Sequence, residues 1–251
     1  MRAGGATVGG RAGRGGVLAA LAGLFVEPAQ EDQAVTAVAH ADDLAVRRPV
    51  VAVAGFRRRC GTTTVARALA AELAARDATG AAVATAAALA SGGVPLGTAA
   101  AGRLGRAVQR ALPTRTRVAG RLCLTLSAVG AEAELVGALR GIAPIVLDVD
   151  DPACASVAAS LADAIVVVAG PATEPALAPV LAGSLARVGP PPIVVLNRAR
   201  DADAGWDRHA AVALPESRMG AQLALAGREA RGELGRAVAR LADLVGEAGT
   251  R

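Results

Sequence analysis

Short apolar runs recur along the chain from residue 49 onward, and most are bounded by glycine, proline, asparagine or aspartate. Continuous runs of this kind are typical of strands that are buried on both faces of a sheet. They predict strands at Val50–Ala54, Ala81–Ala86, Ile145–Asp148, Ala164–Ala169, Pro192–Asn197 and Ala211–Leu214, and a strand or hairpin at Arg115–Thr125. The alanine-rich run Ala81–Ala86 is also compatible with a helix.

Between these runs lie segments whose apolar residues repeat at the spacing of a helix, such as Val65, Leu69 and Leu73. They predict helices at Thr62–Arg76, Gly102–Leu112, Ala131–Arg140, Asp151–Leu161, Glu174–Val188 and Ala230–Val245, with a loop at Ser91–Pro95. Strands that alternate with helices of this length predict an α/β fold, with a doubly wound, mostly parallel sheet flanked by helices. Ligands of such folds bind at the carboxyl ends of the strands, so we expect candidate chemistry there.

The pattern divides the chain into an N-terminal segment, residues 1–48, and an α/β domain, residues 49–247. The segment begins with glycine and arginine and is predicted to be disordered there, before a short helix and a linker. A length of 251 residues is enough for one domain of this kind with a short appendage.

No apolar run in the sequence is long enough to cross a bilayer, so we expect a cytoplasmic protein. The stretch Gly16–Val26 resembles the apolar part of a signal peptide, but we do not expect a cleaved export signal here. We interpret it as a packing helix. The alternative is an amphipathic helix that places the protein at the periphery of a membrane.

Composition restricts the chemistry available to the chain. Hydrophobic residues make up 53% of the sequence but aromatic residues only 1%, so the core must consist mainly of alanine, valine and leucine. The basic residues are all arginine, and a site that requires a lysine ammonium cannot form from these residues. The net charge of +5 is compatible with a solvated arginine surface or with contact to DNA or an anionic membrane. Cys60, Cys123 and Cys154 form no CxxC pair, which argues against a zinc site.

The segment Gly55–Thr64, GFRRRCGTTT, lies between a predicted strand and a predicted helix, which is the context of a phosphate-binding loop. In such a loop, successive backbone N–H groups and a helix N-terminus surround anionic oxygens. The spacing does not fit GxxxxGK[ST], because Gly55 and Gly61 are one residue too far apart. It fits KGGxGKTTxA without gaps, and so resembles the deviant loop of MinD/ParA ATPases. The alternative for a threonine-rich helix start is ordinary N-capping.

Four positions of the loop depart from that pattern. Arg57 stands in the place of the signature lysine, and Thr62 in the place of the lysine that contacts the terminal phosphates. Arg58 and Arg59 replace glycines that adopt positive φ and admit the phosphate closely. Arginine still binds phosphate in a bidentate manner, but efficient hydrolysis needs charge at the transferring phosphoryl group. The loop therefore resembles a damaged phosphate site.

Further features extend the resemblance over about Pro49–Val245. Asp148 ends a predicted strand at the place of the acid that holds Mg²⁺ or its water in the family, and it is the candidate catalytic residue. Asn197 takes the place of the asparagine that faces the adenine, and its alternative role is to form a turn. The resemblance implies ATP or ADP with Mg²⁺, and Thr63 and Asp148 as the Mg²⁺ ligands. The implied nucleotide-binding residues are Gly55, Arg57, Cys60, Gly61, Thr62, Thr63, Thr64, Asn197, Arg198, Pro215 and Glu216.

Within this group, the chain is most similar to divergent CpaE/TadZ-like proteins, which have an atypical phosphate loop and act in pilus or secretion-system positioning. The aspartate that the family carries after its second strand is absent from GAAVATAAALA. The resemblance implies a localisation or scaffolding factor with little hydrolysis, which acts with protein partners of a division, partitioning or secretion system. The alternative is an active partitioning ATPase that dimerises on ATP and binds DNA or membrane. A homodimer is implied in both cases, with Arg57 at the place of the lysine that reaches the partner's phosphate.

Overall fold

The computed structural model describes residues 48–85, 94–95, 102–111, 116–126, 132–149, 154–200 and 205–249. All of them belong to one compact unit of the chain, Ala45–Arg251. The disorder and the helix predicted within residues 1–47 lie outside the described residues.

Nine strands form one sheet among the described residues, in the order β3-β4-β5-β2-β6-β1-β7-β8-β9. The strands are β1 (Val50–Gly55), β2 (Ala81–Thr85), β3 (Val94–Pro95), β4 (Thr116–Ala119), β5 (Leu122–Leu126), β6 (Ile145–Val149), β7 (Ala164–Ala169), β8 (Ile193–Ala199) and β9 (Val212–Pro215). From β5 to β9 along the sheet, all neighbouring strands are parallel. Strands β3 and β4 add an antiparallel edge, and β4 and β5 form the hairpin that the sequence allowed.

Helices connect the parallel strands on both faces of the sheet. They are α1 (Thr62–Arg76), α2 (Gly102–Ala111), α3 (Glu132–Leu139), α4 (Ala155–Leu161), α5 (Ala178–Leu185), α6 (Arg218–Leu225) and α7 (Gly232–Ala248). The predicted doubly wound α/β fold is therefore confirmed, and α1 has the predicted bounds. Of the helices in the described ranges, none is both long enough and apolar enough to cross a membrane.

Three local expectations differ from the structure. Glu174–Val188 is not one helix: a 3₁₀ turn at Pro175–Leu177 precedes α5, and Pro179, which would lie inside the predicted helix without an N–H to donate, falls in the first turn of α5. The helix expected from Asp151 begins only at α4, and residues 151–153 lie outside the described ranges. Val94 and Pro95, expected in a loop, pair with β4 at the sheet edge, where a proline is tolerated because it need not donate to the ladder.

The core consists of two layers, one on each face of the sheet. In β1, Val51 and Val53 belong to the layer that α1, α6 and α7 cover. Val50 and Ala52 belong to the opposite layer, which α2 to α5 cover. Because the period of a strand is two, this alternation fixes which face each later residue of a strand takes.

The register of the strands brings the predicted site residues to one edge of the sheet. Asp148 of β6 lies opposite Val53 of β1. Val53 stands two residues before Gly55, the last residue of β1. Asn197 of β8 lies opposite Leu214 of β9. Since these strands are parallel, their carboxyl ends and the loops that follow lie at the same edge, where folds of this class bind ligands.

Candidate functional site

The loop between β1 and α1 has a backbone that two side chains from the end of β8 hold in place. Asn197 Nδ2 donates a hydrogen bond to the Cys60 carbonyl oxygen at 2.9 Å, and this bond is buried. Arg198 Nη2 donates to the Arg59 carbonyl oxygen at 3.0 Å. The loop is therefore anchored to β8, which is separated from β1 in the sheet by β7.

Two loop positions adopt the left-handed backbone conformation. Gly61 has φ of +93°, and a Cβ added there would overlap Asn197 Nδ2, so glycine is required both by the backbone and by close approach. Arg59 has φ of +66° although it is not a glycine. The loop thus keeps the conformation for which glycine is the ordinary residue, at a cost of about 1–2 kcal/mol for an arginine.

The space next to Gly55 is filled by side chains of the loop itself. A Cβ on Gly55 would lie 2.5 Å from Thr62 Oγ1 and 2.6 Å from Cys60 Sγ. These two atoms are 3.2 Å apart, and both side chains are buried. Thr62 therefore packs inward against Cys60, whereas a lysine at this position would extend toward a phosphate.

Helix α1 begins without a side-chain cap. Gly61 is its N-cap residue, and no hydrogen bond from a described side chain caps the helix. Thr62 is buried, while Thr63 and Thr64 are half-buried. The alternative interpretation of the threonines as ordinary N-caps is therefore not supported. The partial positive charge of the helix N-terminus points toward the loop, which favours an anion there.

A cavity of about 240 Å³ opens beside the loop, between α1, α6 and the ends of β8 and β9. It is lined by Arg59, Gly61, Thr64, Val65, Ala68, Asn197, Arg198, Leu214, Pro215, Glu216, Ser217, Arg218, Gly220, Ala221 and Leu234. Six of the predicted nucleotide-binding residues are among them, namely Gly61, Thr64, Asn197, Arg198, Pro215 and Glu216. The volume lies below the roughly 300–1,000 Å³ of pockets that enclose a drug-sized ligand. It suits part of a nucleotide, such as its base, rather than the whole molecule.

The other predicted residues lie outside the lining of this cavity. They are Gly55, Arg57, Cys60, Thr62, Thr63 and Asp148. Arg57, Arg58 and Arg59 are exposed at the tip of the loop. The structure therefore separates the predicted set into a group around the cavity and a group in or beneath the loop.

The rim of the cavity is basic. Arg59, Arg198 and Arg218 are exposed lining residues, and the carboxylate of Glu216 accepts a hydrogen bond at 3.1 Å from Arg200. Guanidinium groups bind phosphate oxygens through paired N–H donors, so this rim favours an anionic ligand. Because the groups are exposed, salt screens much of that attraction.

Asp148 lies beneath α1 in a buried environment. Its Oδ2 accepts a hydrogen bond of 2.6 Å from Thr85 Oγ1. Arg67, in the second turn of α1, is buried as well, with 1% of its surface exposed. Burial lowers the pKa of Arg67, and the negative charge of Asp148 opposes that shift. Arg67 and Asp148 thus interact electrostatically inside the protein.

Sequence reasoning missed Arg67. The apolar periodicity of α1 places core positions at Val65, Leu69 and Leu73, and an arginine between them is expected to face solvent. The structure buries α1 on most sides, because α6 and α7 pack on it from outside while the sheet lies beneath it. The available signal was the alanine of α1, six of its fifteen residues, which lets other helices pack closely on the side away from the sheet.

The fold, the strand-to-helix loop and the position of the cavity together define the class: the chain has a MinD/ParA-like P-loop NTPase fold. No known protein-family model matches the sequence, and no curated protein matches it. Solved structures do match; the three described here are below 25% identity and show the likeness of fold. A ParA family ATPase from Chlorobium tepidum TLS aligns over 78% of this chain and 98% of its own, with TM-score 0.53 and 14% identity.

Two MinD structures match over similar lengths. The septum site-determining protein MinD from Pyrococcus horikoshii OT3, complexed with Mg-ADP, aligns over 78% of this chain and 95% of its own, with TM-score 0.52 and 17% identity. MinD from Aquifex aeolicus, in a MinC:MinD cell division protein complex, aligns over 79% and 96%, with TM-score 0.52 and 16% identity. The predicted resemblance of fold is confirmed, while the similarity to CpaE/TadZ-like proteins stays a prediction.

Proposed function

We propose that this chain is a localisation or scaffolding factor built on the MinD/ParA fold, which binds a nucleotide with little or no hydrolysis. The observation that carries the proposal is the state of the loop: Thr62, at the lysine position, is buried against Cys60. Stabilising charge on the transferring phosphoryl group is the main catalytic contribution in enzymes of this kind. A buried threonine hydroxyl does not supply that charge.

The lining of the cavity supports retained binding of a nucleotide. The cavity beside the loop has an apolar wall, with Val65, Ala68 and Leu214, and its polar side includes Asn197. We propose that it takes the base of ATP or ADP, with the phosphates directed toward Arg59 and Arg198 at the rim. Asn197 then has two roles, because its amide nitrogen already holds the Cys60 carbonyl oxygen while the residue lines the cavity.

The names of the matching proteins support the proposed role as a localisation factor. One is a septum site-determining protein with Mg-ADP, and another is in a complex with MinC. We propose that this chain likewise works in the cytoplasm as a homodimer with a protein partner of a division, partitioning or secretion system. The net charge of +5 is compatible with additional contact with DNA or a membrane surface, and equally with a solvated arginine surface.

The test is to measure binding and turnover separately on the purified full chain. We expect isothermal titration calorimetry to detect ADP or ATP, and phosphate release to stay at the buffer background. Arg198→Ala should weaken binding because it removes a rim cation and the bond to the Arg59 carbonyl. Arg187→Ala removes an exposed arginine that is not part of the cavity lining, and serves as the matched control.

Two results contradict parts of the proposal. Turnover above background that Asp148→Ala abolishes overturns the non-hydrolysing role and favours an active partitioning ATPase. Absence of heat with both ADP and ATP overturns nucleotide binding. For the positional role, a fluorescent fusion should form discrete foci in the native cells, and a uniform distribution would contradict it.

A further inference from the structure

Three buried polar residues lie together on the face of the sheet that α1 covers. Arg67, Thr85 and Asp148 are 1%, 0% and 6% exposed. Their neighbours along the strands, Val83 and Val146, belong to the apolar layer beneath α1. A buried arginine in a layer of alanine, valine and leucine is uncommon and is stable only when an acid compensates it.

The register of the sheet places Asp148 under the helix. Asp148 lies opposite Thr85 on one side and Val53 on the other. Since Val53 and Val146 face α1, the period of two along β6 directs Asp148 to the same face. Helix α1 packs directly on β6, and Arg67 lies in its second turn. The cation and the carboxylate therefore share one interior space.

This environment does not fit Mg²⁺. The ion requires near-octahedral oxygen ligands at about 2.0–2.1 Å and keeps several of its waters, so it needs an accessible carboxylate. Here one carboxylate oxygen of Asp148 already accepts a hydrogen bond from the Thr85 hydroxyl, and the residue is buried. A guanidinium close enough to interact with Asp148 would also repel a divalent cation.

We propose that Arg67 is the resident cation of this site, and that it neutralises Asp148 in the role that Mg²⁺ has in related folds. The folded protein then has no Mg²⁺ site at Asp148, and an anion that binds beside the loop does so without a metal ion. The pairing belongs to the protein without nucleotide, so it can be tested whether or not the proposed function holds.

The first test is direct metal binding by the purified full chain without nucleotide. Mn²⁺, a paramagnetic substitute for Mg²⁺, is titrated and its free fraction is read by electron paramagnetic resonance. We expect no Mn²⁺ binding at Asp148, and no change of melting temperature in millimolar Mg²⁺. Stoichiometric Mn²⁺ binding that Asp148→Asn abolishes would overturn the proposal.

The second test is a double-mutant cycle on thermal stability. Arg67→Met leaves Asp148 buried without its compensating cation, and should lower the melting temperature by about 10 °C. The double variant Arg67→Met/Asp148→Asn should recover most of that loss. Arg76→Met is the matched control on the same helix, because Arg76 pairs with Glu72 and Asp243 at the surface. The decrease in melting temperature that it causes should simply add to the decrease caused by Asp148→Asn.

Two further outcomes decide between a charge role and a packing role for Arg67. Arg67→Lys keeps the positive charge, so it should retain more stability than Arg67→Met. If Arg67→Lys and Arg67→Met lower the melting temperature equally, Arg67 has only a packing role and the proposal is wrong. The same follows if the decrease in the double variant equals the sum of the decreases that Arg67→Met and Asp148→Asn cause alone.

Discussion

At the scale of single residues, the loop between β1 and α1 adopts the left-handed backbone conformation at two positions, only one of which is a glycine. Arg59 adopts a left-handed conformation in the place of a glycine, and Gly61 keeps one. The strain is offset by bonds from Asn197 and Arg198 to the loop carbonyl groups. The shape of the loop is thus maintained by Gly61 and by the bonds from β8, although position 59 carries an arginine.

Gly61→Ala tests this dependence on backbone shape. A Cβ at Gly61 meets Asn197 Nδ2, and φ there is +93°. We expect a loss of about 1–3 kcal/mol in the free energy of unfolding, measured with urea. Gly137→Ala is the control, because a Cβ there meets no atom within 4 Å inside α3. It should stabilise the protein by about 0.5–1 kcal/mol, and equal effects of both changes would contradict the prediction.

At the scale of elements, α6 forms one wall of the cavity and its start is fixed by a cap. Ser217 Oγ accepts a hydrogen bond from the Gly220 N–H at 2.9 Å. The same serine and Gly220 line the cavity. The geometry of the pocket is therefore coupled to the stability of a single helix terminus.

Ser217→Ala should cost about 1 kcal/mol of unfolding free energy, since it leaves an N-terminal N–H of α6 without its acceptor. It should also weaken binding of ADP, measured by calorimetry. Ser184→Ala is the control: its hydroxyl donates to the Leu181 carbonyl oxygen within α5, where alanine is the better helix former. The prediction is wrong if Ser184→Ala destabilises the protein more than Ser217→Ala.

The strands and helices differ in how well the sequence predicted them. Strands such as Ala164–Ala169 are continuous apolar runs, and their type and bounds follow from burial on both faces. Val94–Pro95 carries no such signal, because its pairing with β4 depends on tertiary contact alone. The break before α5 does not show in the apolar periodicity, and its local signal is Pro179, which cannot lie inside a helix without losing a hydrogen bond.

The candidate site was predictable only in part. Spacing identified the loop and the strand ends, which brought Gly61, Asn197 and Pro215 to one cavity. Spacing does not state where a side chain points, so it gave no indication that Thr62 turns inward against Cys60. The burial of Arg67 depends on which helices cover α1, and that is a property of the assembled fold.

At the scale of the whole molecule, the edge of the sheet opposite the cavity contributes to the dependence of stability on pH. Asp77 ends α1, and its carboxylate accepts hydrogen bonds from Thr79 and from Arg48 Nε at 2.7 Å. Burial raises the pKa of Asp77, but the bonds from Thr79 and Arg48 outweigh it and hold the pKa below its ordinary value. The stabilisation is present above the unfolded-state pKa of about 4 and is lost as the pH falls through the folded-state pKa.

Asp77→Asn should therefore make the free energy of unfolding depend less on pH in the acid range. Between about pH 5 and pH 2, the urea midpoint of the wild-type chain should fall more than that of the variant. Asp243→Asn, which makes the same chemical change at an exposed acid, is the comparison variant. Parallel curves for wild type and Asp77→Asn would contradict this assignment.

The proposed homodimer is the largest-scale feature in which the loop would take part. Arg57 is exposed and does not line the cavity of its own chain, so its guanidinium is available to a second molecule. If a bound nucleotide extends its phosphates toward the loop, an arginine from the partner adds a cation that the loop itself lacks at Thr62. Sedimentation velocity should then show more dimer with ATP than without it, and Arg57→Ala should remove that increase. Arg187→Ala, which deletes an equally exposed charge, should retain it; a mass unaffected by ATP in the wild-type chain would rule out nucleotide-driven dimerisation.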